Sequence, residues 1–341
     1  MEPVTVAITN YNGRLVLEDT LQSIRNLDYP TCSVILVDDG STDESVPFVR
    51  THFPEARIVE MGRNTARLNK VRNQGIAAAR TRFVFLTDND IVFAPNCLRI
   101  LVDSIQSLPT AAVCTPRIMF EDDRTKIYTD GNLLHYVCAS IAKNRNGRLT
   151  STAEQPERSI GCGIQLIDKE KAQAVGFFDE DYVMGWGDDG EFHHRLRLAG
   201  FQVYSVPQAV VYHKAIKGAP RVYGQILNRW SLMLQTYSTK TLALLLPSLV
   251  LYEGAFLLFA LSKGYVGEYG RALRTVWREW GRLMEKRRSI QARRVVPDKD
   301  LMDSGHLYIA DNMVNKRLLK LCADSLDVCF DLYWRAVRGL L

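Results

Sequence analysis

Short apolar runs alternate with helix-like segments over the N-terminal part of the chain. The apolar runs end in polar residues, as buried strands do, and they lie at Val4–Thr9, Ser33–Asp38, Ile58–Met61, Phe83–Thr87, Ile164–Ile167 and Phe201–Val211. Apolar residues at helical spacing lie between these runs, at Leu15–Leu27, Leu68–Arg80, Lys169–Ala174 and Glu191–Leu198. The alternation predicts an α/β fold with a mostly parallel sheet flanked by helices.

Polar clusters follow three of the predicted strands, at Thr9–Asn12, Asp38–Ser41 and Asp88–Asp90. In open α/β sheets, ligands bind beyond the carboxyl ends of the strands. We therefore predict a site at this edge of the sheet. Residues 121–158 are polar and weakly periodic, which predicts a long loop or hairpin that covers the site and faces an acceptor.

The excess positive charge is confined to the C-terminal part. The sequence carries 43 Lys and Arg against 38 Asp and Glu, a net charge of +5. Residues 1–240 hold 27 of each sign, so residues 241–341 hold the remaining 16 basic and 11 acidic side chains. This asymmetry predicts an anionic partner for the tail, such as a membrane surface. No nucleic-acid-binding motif is present, so nucleic acid is not predicted as a partner.

The tail also contains an apolar segment, Leu242–Leu261, that is long enough to span a bilayer. Glu253 is its only charged residue, and basic residues flank the segment on both sides, which disfavours a single crossing. Beyond it, one helical face carries arginines and the opposite face apolar residues, a pattern typical of interfacial helices. The arginines are Arg271, Arg274, Arg278 and Arg282, and the apolar residues are Leu273, Trp277, Trp280 and Met284. We predict peripheral membrane binding, and the alternative is an apolar hairpin packed on the catalytic domain or on a dimer partner.

The seven cysteines form no CxxC or zinc-ligand spacing, so we predict buried thiols in a reducing compartment. They are Cys32, Cys97, Cys114, Cys138, Cys162, Cys322 and Cys329. The N-terminus enters strand-like sequence at Val4 without a basic segment and an apolar run, so no secretory signal is predicted. The expected location is the cytoplasmic face of a membrane.

Two acidic motifs follow predicted strands directly. Asp88-Asn89-Asp90 can hold Mg²⁺ or Mn²⁺, which prefer oxygen ligands, although an Asx-rich turn that closes the strand is the simpler interpretation. Asp38-Asp39 precedes Gly40-Ser41-Thr42-Asp43, where Asp39 can accept hydrogen bonds from a base or a ribose. One of Ser41, Thr42 and Asp43 can instead cap the next helix.

A third acidic motif, Gly187-Asp188-Asp189-Gly190-Glu191, precedes a predicted helix, whose dipole favours carboxylates there. Three acids this close repel one another unless cations or a substrate offset them, and a partly desolvated member can act as a general base. His213 ends an apolar strand, where its imidazole is either a metal ligand or a structural residue.

Other chemistries lack their motifs in this sequence. GxGxxG, a P-loop and GxSxG are all absent. Without a glycine cradle for a diphosphate, a metal ion is the natural substitute.

Taken in order, these motifs resemble the family-2 glycosyltransferases of GT-A fold, especially the rhamnosyltransferase-like branch. The similarity extends from Val4 to Lys217. It rests on Thr9-Asn10-Tyr11-Asn12, Val37–Asp43, Val71–Ile76, Asp88–Asp90, Gly176–Asp181, Gly187–Asp189 and Val211–His213. The resemblance implies a GT-A catalytic domain over residues 1–220, a linker over 221–240 and a helical, membrane-associating region over 241–341.

The resemblance also implies a role for each matching residue in an inverting, metal-dependent transfer from a nucleotide-diphosphate sugar to an acceptor hydroxyl. Asp90 and His213 would ligate Mn²⁺ or Mg²⁺, Asp189 with Asp188 would deprotonate the acceptor, and Trp186 and Gly163 would bind it. The donor site would comprise Thr9, Asn10, Tyr11, Asp38, Asp39, Arg72, Asp88 and Asn89.

The resemblance has departures. The first acid of the family's Glu-Asp pair is Asp188 here, and Gln225 to Trp230 holds one residue more than the QxxRW of processive members, so processivity is not predicted. The expected product is a cell-surface polysaccharide or glycolipid on a sugar or lipid-linked acceptor. The alternatives are a polyprenyl-phosphate sugar synthase and a catalytically silent nucleotide-sugar-binding protein. A homodimer through the C-terminal region is a further expectation.

Overall fold

The computed structural model describes residues 1–149, 155–214, 221–307 and 317–341. Their strands are β1 (Val4–Asn10), β2 (Cys32–Asp38), β3 (Arg57–Glu60), β4 (Phe83–Asp88), β5 (Ile91–Phe93), β6 (Ala111–Phe120), β7 (Ile127–Thr129), β8 (Asn132–His135), β9 (Ala139–Ala142), β10 (Glu157–Arg158), β11 (Gln165–Asp168) and β12 (Gln202–His213). Their α-helices are α1 (Arg14–Arg25), α2 (Ser45–His52), α3 (Leu68–Ala78), α4 (Cys97–Ser107), α5 (Lys169–Gln173), α6 (Gly190–Leu198), α7 (Val222–Thr236), α8 (Thr239–Lys263), α9 (Val266–Arg278), α10 (Trp280–Ala292) and α11 (Arg317–Val337).

One mixed sheet forms the body of the protein, in the order β10-β12-β6-β11-β4-β1-β2-β3. β1 pairs in parallel with β2 and β4, and β12 pairs in parallel with β6, while β11 runs antiparallel between β4 and β6. Apolar clusters fill both faces of this sheet beneath the helices. The predicted α/β architecture with a mostly parallel sheet is confirmed.

The register of the parallel strands brings the predicted polar clusters to one edge. Thr9 pairs with Asp88 across β1 and β4, and Asn10 pairs with Asp38 across β1 and β2. Helix α3 packs closely on this sheet because Gly75 faces it, where an added Cβ atom would lie 2.9 Å from the Ala7 Cβ. The strand ends and the start of α3 therefore surround one site.

The polar region 121–158 contains short strands rather than only a loop. β8 and β9 form an antiparallel hairpin of their own, outside the main sheet, and β7 and β10 pair with the edges of β6 and β12. Residues 150–154 of this region, and the predicted boundary features Lys217, Gly218 and Pro220, lie outside the described residues.

The predicted linker, 221–240, contains helix α7, in which Asn228, Arg229 and Gln235 are buried. The division into a catalytic domain, a linker and a C-terminal region stays a prediction. Helix α7 contacts α9 and α10, and apolar clusters join these helices to the hairpin and α11.

Among the described residues, α8 is the one helix long and apolar enough to cross a membrane. Its single acid, Glu253, faces the protein, where it pairs with the buried Arg229 and accepts a 2.6 Å hydrogen bond from the Tyr269 hydroxyl. The opposite face is an exposed stripe without a charged or polar side chain. This stripe consists of Ala243, Leu246, Pro247, Val250, Leu251, Gly254, Leu258 and Leu261.

Two expectations for the tail and the thiols need correction. The predicted arginine helix is interrupted at Glu279, so Arg282, Trp280 and Met284 belong to α10, and Leu273 and Met284 pack toward the protein interior. Trp277 and Trp280 are exposed. The prediction of buried thiols was wrong for Cys329, which is exposed on α11, and Cys32 and Cys162 are only half-buried. The side chain of Cys322 lies outside the described part of the chain.

Candidate functional site

The turn after β4 is held by side chains from the neighbouring strands. The Thr9 hydroxyl donates to Asp88 Oδ1 at 2.8 Å, and Asn89 Nδ2 donates to Asn10 Oδ1 at 2.7 Å. Asn10 in turn donates through Nδ2 to Asp38 Oδ1 at 2.8 Å. The residues predicted to bind the nucleotide sugar thus form a hydrogen-bonded row across the ends of β1, β2 and β4.

The loop after β2 uses its acids in two ways. Asp38 closes the turn by accepting hydrogen bonds from Ser41, whereas Asp39 accepts one from the Thr65 amide at 3.0 Å through Oδ1. Asp43 accepts from the Ser45 amide at 3.0 Å, but the N-cap of α2 is Glu44, which makes no side-chain cap hydrogen bond, so none of Ser41, Thr42 and Asp43 takes the predicted N-cap position. Tyr11 lies nearby and is half exposed.

Asp90 and His213 meet at the end of β12. His213 Nε2 lies 3.2 Å from Asp90 Oδ2, and the Tyr128 ring packs edge-on against the imidazole. Asp90 Oδ1 is buried without a hydrogen-bond partner among the described residues. A buried carboxylate oxygen without a partner is costly, so this pair suits a divalent cation.

Within the described chain, no cluster of three or more His, Cys, Asp or Glu side chains could hold a metal ion. The protein therefore offers two side chains, Asp90 and His213. Mg²⁺ is commonly bound through one or two carboxylates, with substrate phosphates and waters as its other ligands. These two ligands fit a cation whose other ligands come from a bound diphosphate and from water.

The buried Arg72 connects this edge to the third acidic motif. Its Nη1 donates to Asp188 Oδ2 at 3.0 Å and to Asn69 Oδ1 at 3.0 Å. Burial lowers the pKa of Arg72, but the charges of Asp188, Asp88 and Asp189 outweigh burial and raise it overall. The charges of Asp88, which ends β4, and of Asp188 and Asp189, which precede α6, therefore act on one guanidinium.

Asp188 and Asp189 have different surroundings. Burial, and to a lesser extent the charge of Asp189, raise the pKa of Asp188 to about 7 against the opposing effect of Arg72. Asp189 is partly exposed and accepts a 2.7 Å hydrogen bond from the Gly190 amide, as the N-cap of α6. The third acid, Glu191, is buried and paired with Arg195, so it has a structural role.

The loop that carries these acids is anchored by residues that the motifs did not reveal. Asn69 Nδ2 donates to the Asp188 carbonyl at 2.7 Å, and Asn73 Nδ2 donates to the Phe178 carbonyl at 2.9 Å. Lys286 of α10 pairs with Asp179 at 2.6 Å. Asn73 belongs to Val71–Ile76, one of the segments that carry the family resemblance. No local sequence pattern indicated a role for Asn69 or Lys286.

A cavity of about 190 Å³ lies between this loop and the β8–β9 hairpin. Trp186, Asp188 and Asp189 line one side, and Asn132 and Ser140 of the hairpin line the other. Gly163 is not among the lining residues. It packs against Arg72 instead, whose Nη2 would lie 2.4 Å from an added Cβ atom.

A family model described as "Glycosyl transferase family 2" matches residues 5–175, half of the chain. The chain belongs to glycosyl transferase family 2. The matched range includes the Asp88–Asp90 turn and Arg72 and ends before the Asp188–Asp189 loop. The rhamnosyltransferase-like branch within family 2 stays a prediction.

Curated relatives of this family-2 chain match part of their own length. Poly-beta-1,6-N-acetyl-D-glucosamine synthase of Staphylococcus epidermidis is 23% identical over 216 residues, which cover 62% of this chain and 49% of the relative. Chondroitin synthase of Pasteurella multocida is 26% identical over 254 residues, which cover 63% of this chain and 25% of the relative. The match therefore spans about half the length of the first relative and about a quarter of the second.

Among solved structures, the crystal structure of GalNAc-T7 with UDP, GalNAc and Mn²⁺ has a TM-score of 0.58 at 17% identity. The match covers 73% of this chain and 50% of that chain. At this identity the likeness shows the fold alone, which is the GT-A fold expected for family 2.

Proposed function

We propose that this protein is an inverting glycosyltransferase that moves a sugar from a nucleotide-diphosphate donor to an acceptor hydroxyl. The observation that carries the proposal is the buried Arg72, which pairs with Asp188 at 3.0 Å and lies within the electrostatic reach of Asp88 and Asp189. Arg72 therefore connects the proposed site for the sugar donor with Asp189, the candidate general base. The names of the curated relatives support sugar transfer in polysaccharide synthesis as the setting.

The donor site is proposed at the ends of β1, β2 and β4. Asp39 would bind the base, and Thr9 would hold Asp88 toward the ribose through their hydrogen bond. Asp90 and His213 would hold Mn²⁺ or Mg²⁺ against the diphosphate. When bound, the cation offsets the negative charge that grows on the departing diphosphate.

The acceptor is proposed to lie in the cavity between Trp186 and the hairpin. Asp189 would accept the proton of the acceptor hydroxyl, whose oxygen bonds to the anomeric carbon as the carbon–diphosphate bond breaks. A single displacement of this kind inverts the configuration. Asp188 would hold Arg72 and thereby keep the loop in place.

The rate of transfer should depend on pH through Asp188. The pKa of this group is raised to about 7, so its charge is present above pH 7 and is lost as the pH falls. We expect kcat/KM to fall as the pH decreases below 7 and then to level off at the activity of Asp188→Asn, because a protonated Asp188 lacks its charge as the amide does. In Asp188→Asn, kcat/KM should no longer fall as the pH decreases below 7. An unchanged acid limb in that variant would mean that another group titrates.

The function is tested by incubating the purified protein with a panel of nucleotide sugars, dTDP-rhamnose among them, and measuring nucleotide release with and without glycan acceptors. We expect one donor to be turned over with added Mn²⁺ or Mg²⁺ and not in EDTA. Turnover with a polyprenyl phosphate as acceptor would favour a synthase of that class. Binding without turnover of any donor would favour a silent binding protein.

We also propose that the protein lies on the cytoplasmic face of a membrane through α8 and α9. The apolar stripe of α8 runs from Ala243 to Leu261, about 27 Å at 1.5 Å per residue. The bonds of Glu253 to Arg229 and Tyr269 hold the opposite face on the protein, which supports lying on the bilayer over crossing it. Beyond this stripe, Trp277 and Trp280 are exposed on either side of Arg278 and Glu279. Exposed tryptophans beside basic residues are typical of interfacial helices.

Flotation with vesicles tests this placement. The wild-type protein should float with anionic vesicles. A Leu246→Gln/Leu258→Gln variant of the exposed stripe should lose most of that binding, because it removes apolar surface that would contact the acyl chains. Leu245→Gln is not a suitable control, since Leu245 is buried, whereas Ser262→Gln leaves the stripe intact. A monodisperse dimer that ignores vesicles and dissociates in the stripe variant would instead assign the stripe to a second copy.

A further inference from the structure

A second cavity, of about 170 Å³, lies away from the candidate active site. Its walls come from the loop at Asp181–Val183 and from helices α7, α9 and α10. It is therefore built where the sheet domain meets the C-terminal helices, and no role proposed above uses it.

Most of the charged side chains that line this cavity are basic. Four cationic side chains, Arg67, Arg278, Arg282 and Lys286, face two carboxylates, Asp181 and Glu279. Carboxylates engage part of this charge. Lys286 Nζ donates to both carboxylate oxygens of Asp179 and to Asp181 Oδ2, so the donors that remain for a ligand belong to the arginines. Arg282 Nη2 lies 2.7 Å from Asp181 Oδ1, and Arg278 Nε lies 3.1 Å from Glu279 Oε1. A guanidinium has five N–H donors in a planar fork, so both arginines keep donors for a further anion.

A neutral donor at the cavity wall also lacks a partner. Gln235 is 1% exposed, and its Oε1 accepts a 3.1 Å hydrogen bond from the Tyr182 hydroxyl. Its Nε2 is buried and has no hydrogen-bond partner among the described residues. A buried donor left unpaired is unfavourable, so a ligand that accepts this hydrogen bond is favoured.

The exposed arginines of the cavity lie beside the proposed membrane surface. Side-chain exposure is 74% for Arg278 and 59% for Arg282. Trp277 and Trp280, the neighbours of Arg278 and Glu279 in sequence, are exposed as well. An anionic group at the level of lipid headgroups would therefore reach these arginines first.

We propose that this cavity binds a phosphate group, supplied by the headgroup of a membrane lipid. Phosphate oxygens accept bidentate hydrogen bonds from guanidinium groups and would also accept from Gln235 Nε2. The ligand would contact Asp181, Tyr182 and Val183, which belong to the loop that leads to Trp186 and Asp189. Asn228 bonds to both Val183 and Trp186, so occupancy of the cavity would stabilise the acceptor side of the candidate active site.

The test uses the full-length protein and two variants with equal loss of charge. Arg278→Gln/Arg282→Gln removes two cavity arginines, and Arg271→Gln/Arg274→Gln removes two exposed arginines of α9 that do not line the cavity. Binding is measured by co-sedimentation with phosphatidylcholine vesicles that contain phosphatidic acid. In a second arm, binding of glycerol 3-phosphate is measured by calorimetry.

A cavity that binds the lipid phosphate predicts a loss at least about tenfold larger for the cavity variant than for its charge-matched control. Gln235→Leu should also weaken binding without changing the charge. If only glycerol 3-phosphate shows this difference, the phosphate comes from a soluble metabolite. Equal losses in both charge variants, with unchanged binding by Gln235→Leu, would show surface electrostatics alone and overturn the proposal. None of these results depends on sugar transfer.

Discussion

Asp90→Asn is expected to abolish sugar transfer, with a loss of at least about a hundredfold in kcat/KM, the scale seen when one preorganised electrostatic contact to the transition state is removed. The substitution is nearly isosteric, so the hydrogen bond to His213 can persist while the charge is lost. Affinity for a nucleoside diphosphate in the presence of Mn²⁺ should fall in parallel. Calorimetry of diphosphate binding and steady-state kinetics measure the two effects.

Asp122→Asn is the matched control for this substitution, because Asp122 is an exposed acid in the loop after β6. It should leave both measurements and the melting temperature unchanged. Near-normal activity of Asp90→Asn, or wild-type activity that persists in EDTA, would show that Asp90 holds no metal ion.

Asp189→Asn is expected to lower kcat by about 10²–10⁴-fold, the usual contribution of a general base. Donor affinity should change little, because the lost interaction acts mainly in the transition state. The amide can still cap α6 through its oxygen at the Gly190 amide, so the fold is retained. Single-turnover kinetics and donor binding separate the two quantities.

Asp188→Asn provides the comparison, since it stands next in the chain but faces Arg72. Removing its charge leaves the buried Arg72 without its closest counterion, so we expect a lower melting temperature and a smaller decrease in kcat. If Asp188→Asn lost more activity than Asp189→Asn while remaining folded, Asp188 would be the base.

The local features of this protein were predictable from its sequence. Buried parallel strands appear as apolar runs, and the polar residues that follow them share one edge because β1 pairs with both β2 and β4. The parallel register then brings Thr9 to Asp88 and Asn10 to Asp38. These positions needed only the strand pattern and the rule for where α/β sheets bind ligands.

The supporting contacts were not predictable, because they join distant parts of the chain. Asn69 reaches the Asp188 carbonyl across 119 positions, and Lys286 reaches Asp179 across 107. Glu253 appeared from the sequence as an isolated charge in an apolar helix. Its partners on α7 and α9 are set by tertiary packing. The same holds for the hairpin residues Asn132 and Ser140, whose place beside Trp186 depends on how β8 and β9 fold over the sheet.

The anomeric configuration of the product tests the central claim most directly. With the donor identified from the panel, the transferred sugar is analysed by proton NMR after reaction in Mn²⁺, in EDTA, and with Asp189→Asn. We predict a product whose configuration is opposite to that of the donor, formed only by the wild-type enzyme with metal. Retention of configuration, or equal product formation in EDTA and by Asp189→Asn, would contradict a metal-dependent single displacement with Asp189 as its base.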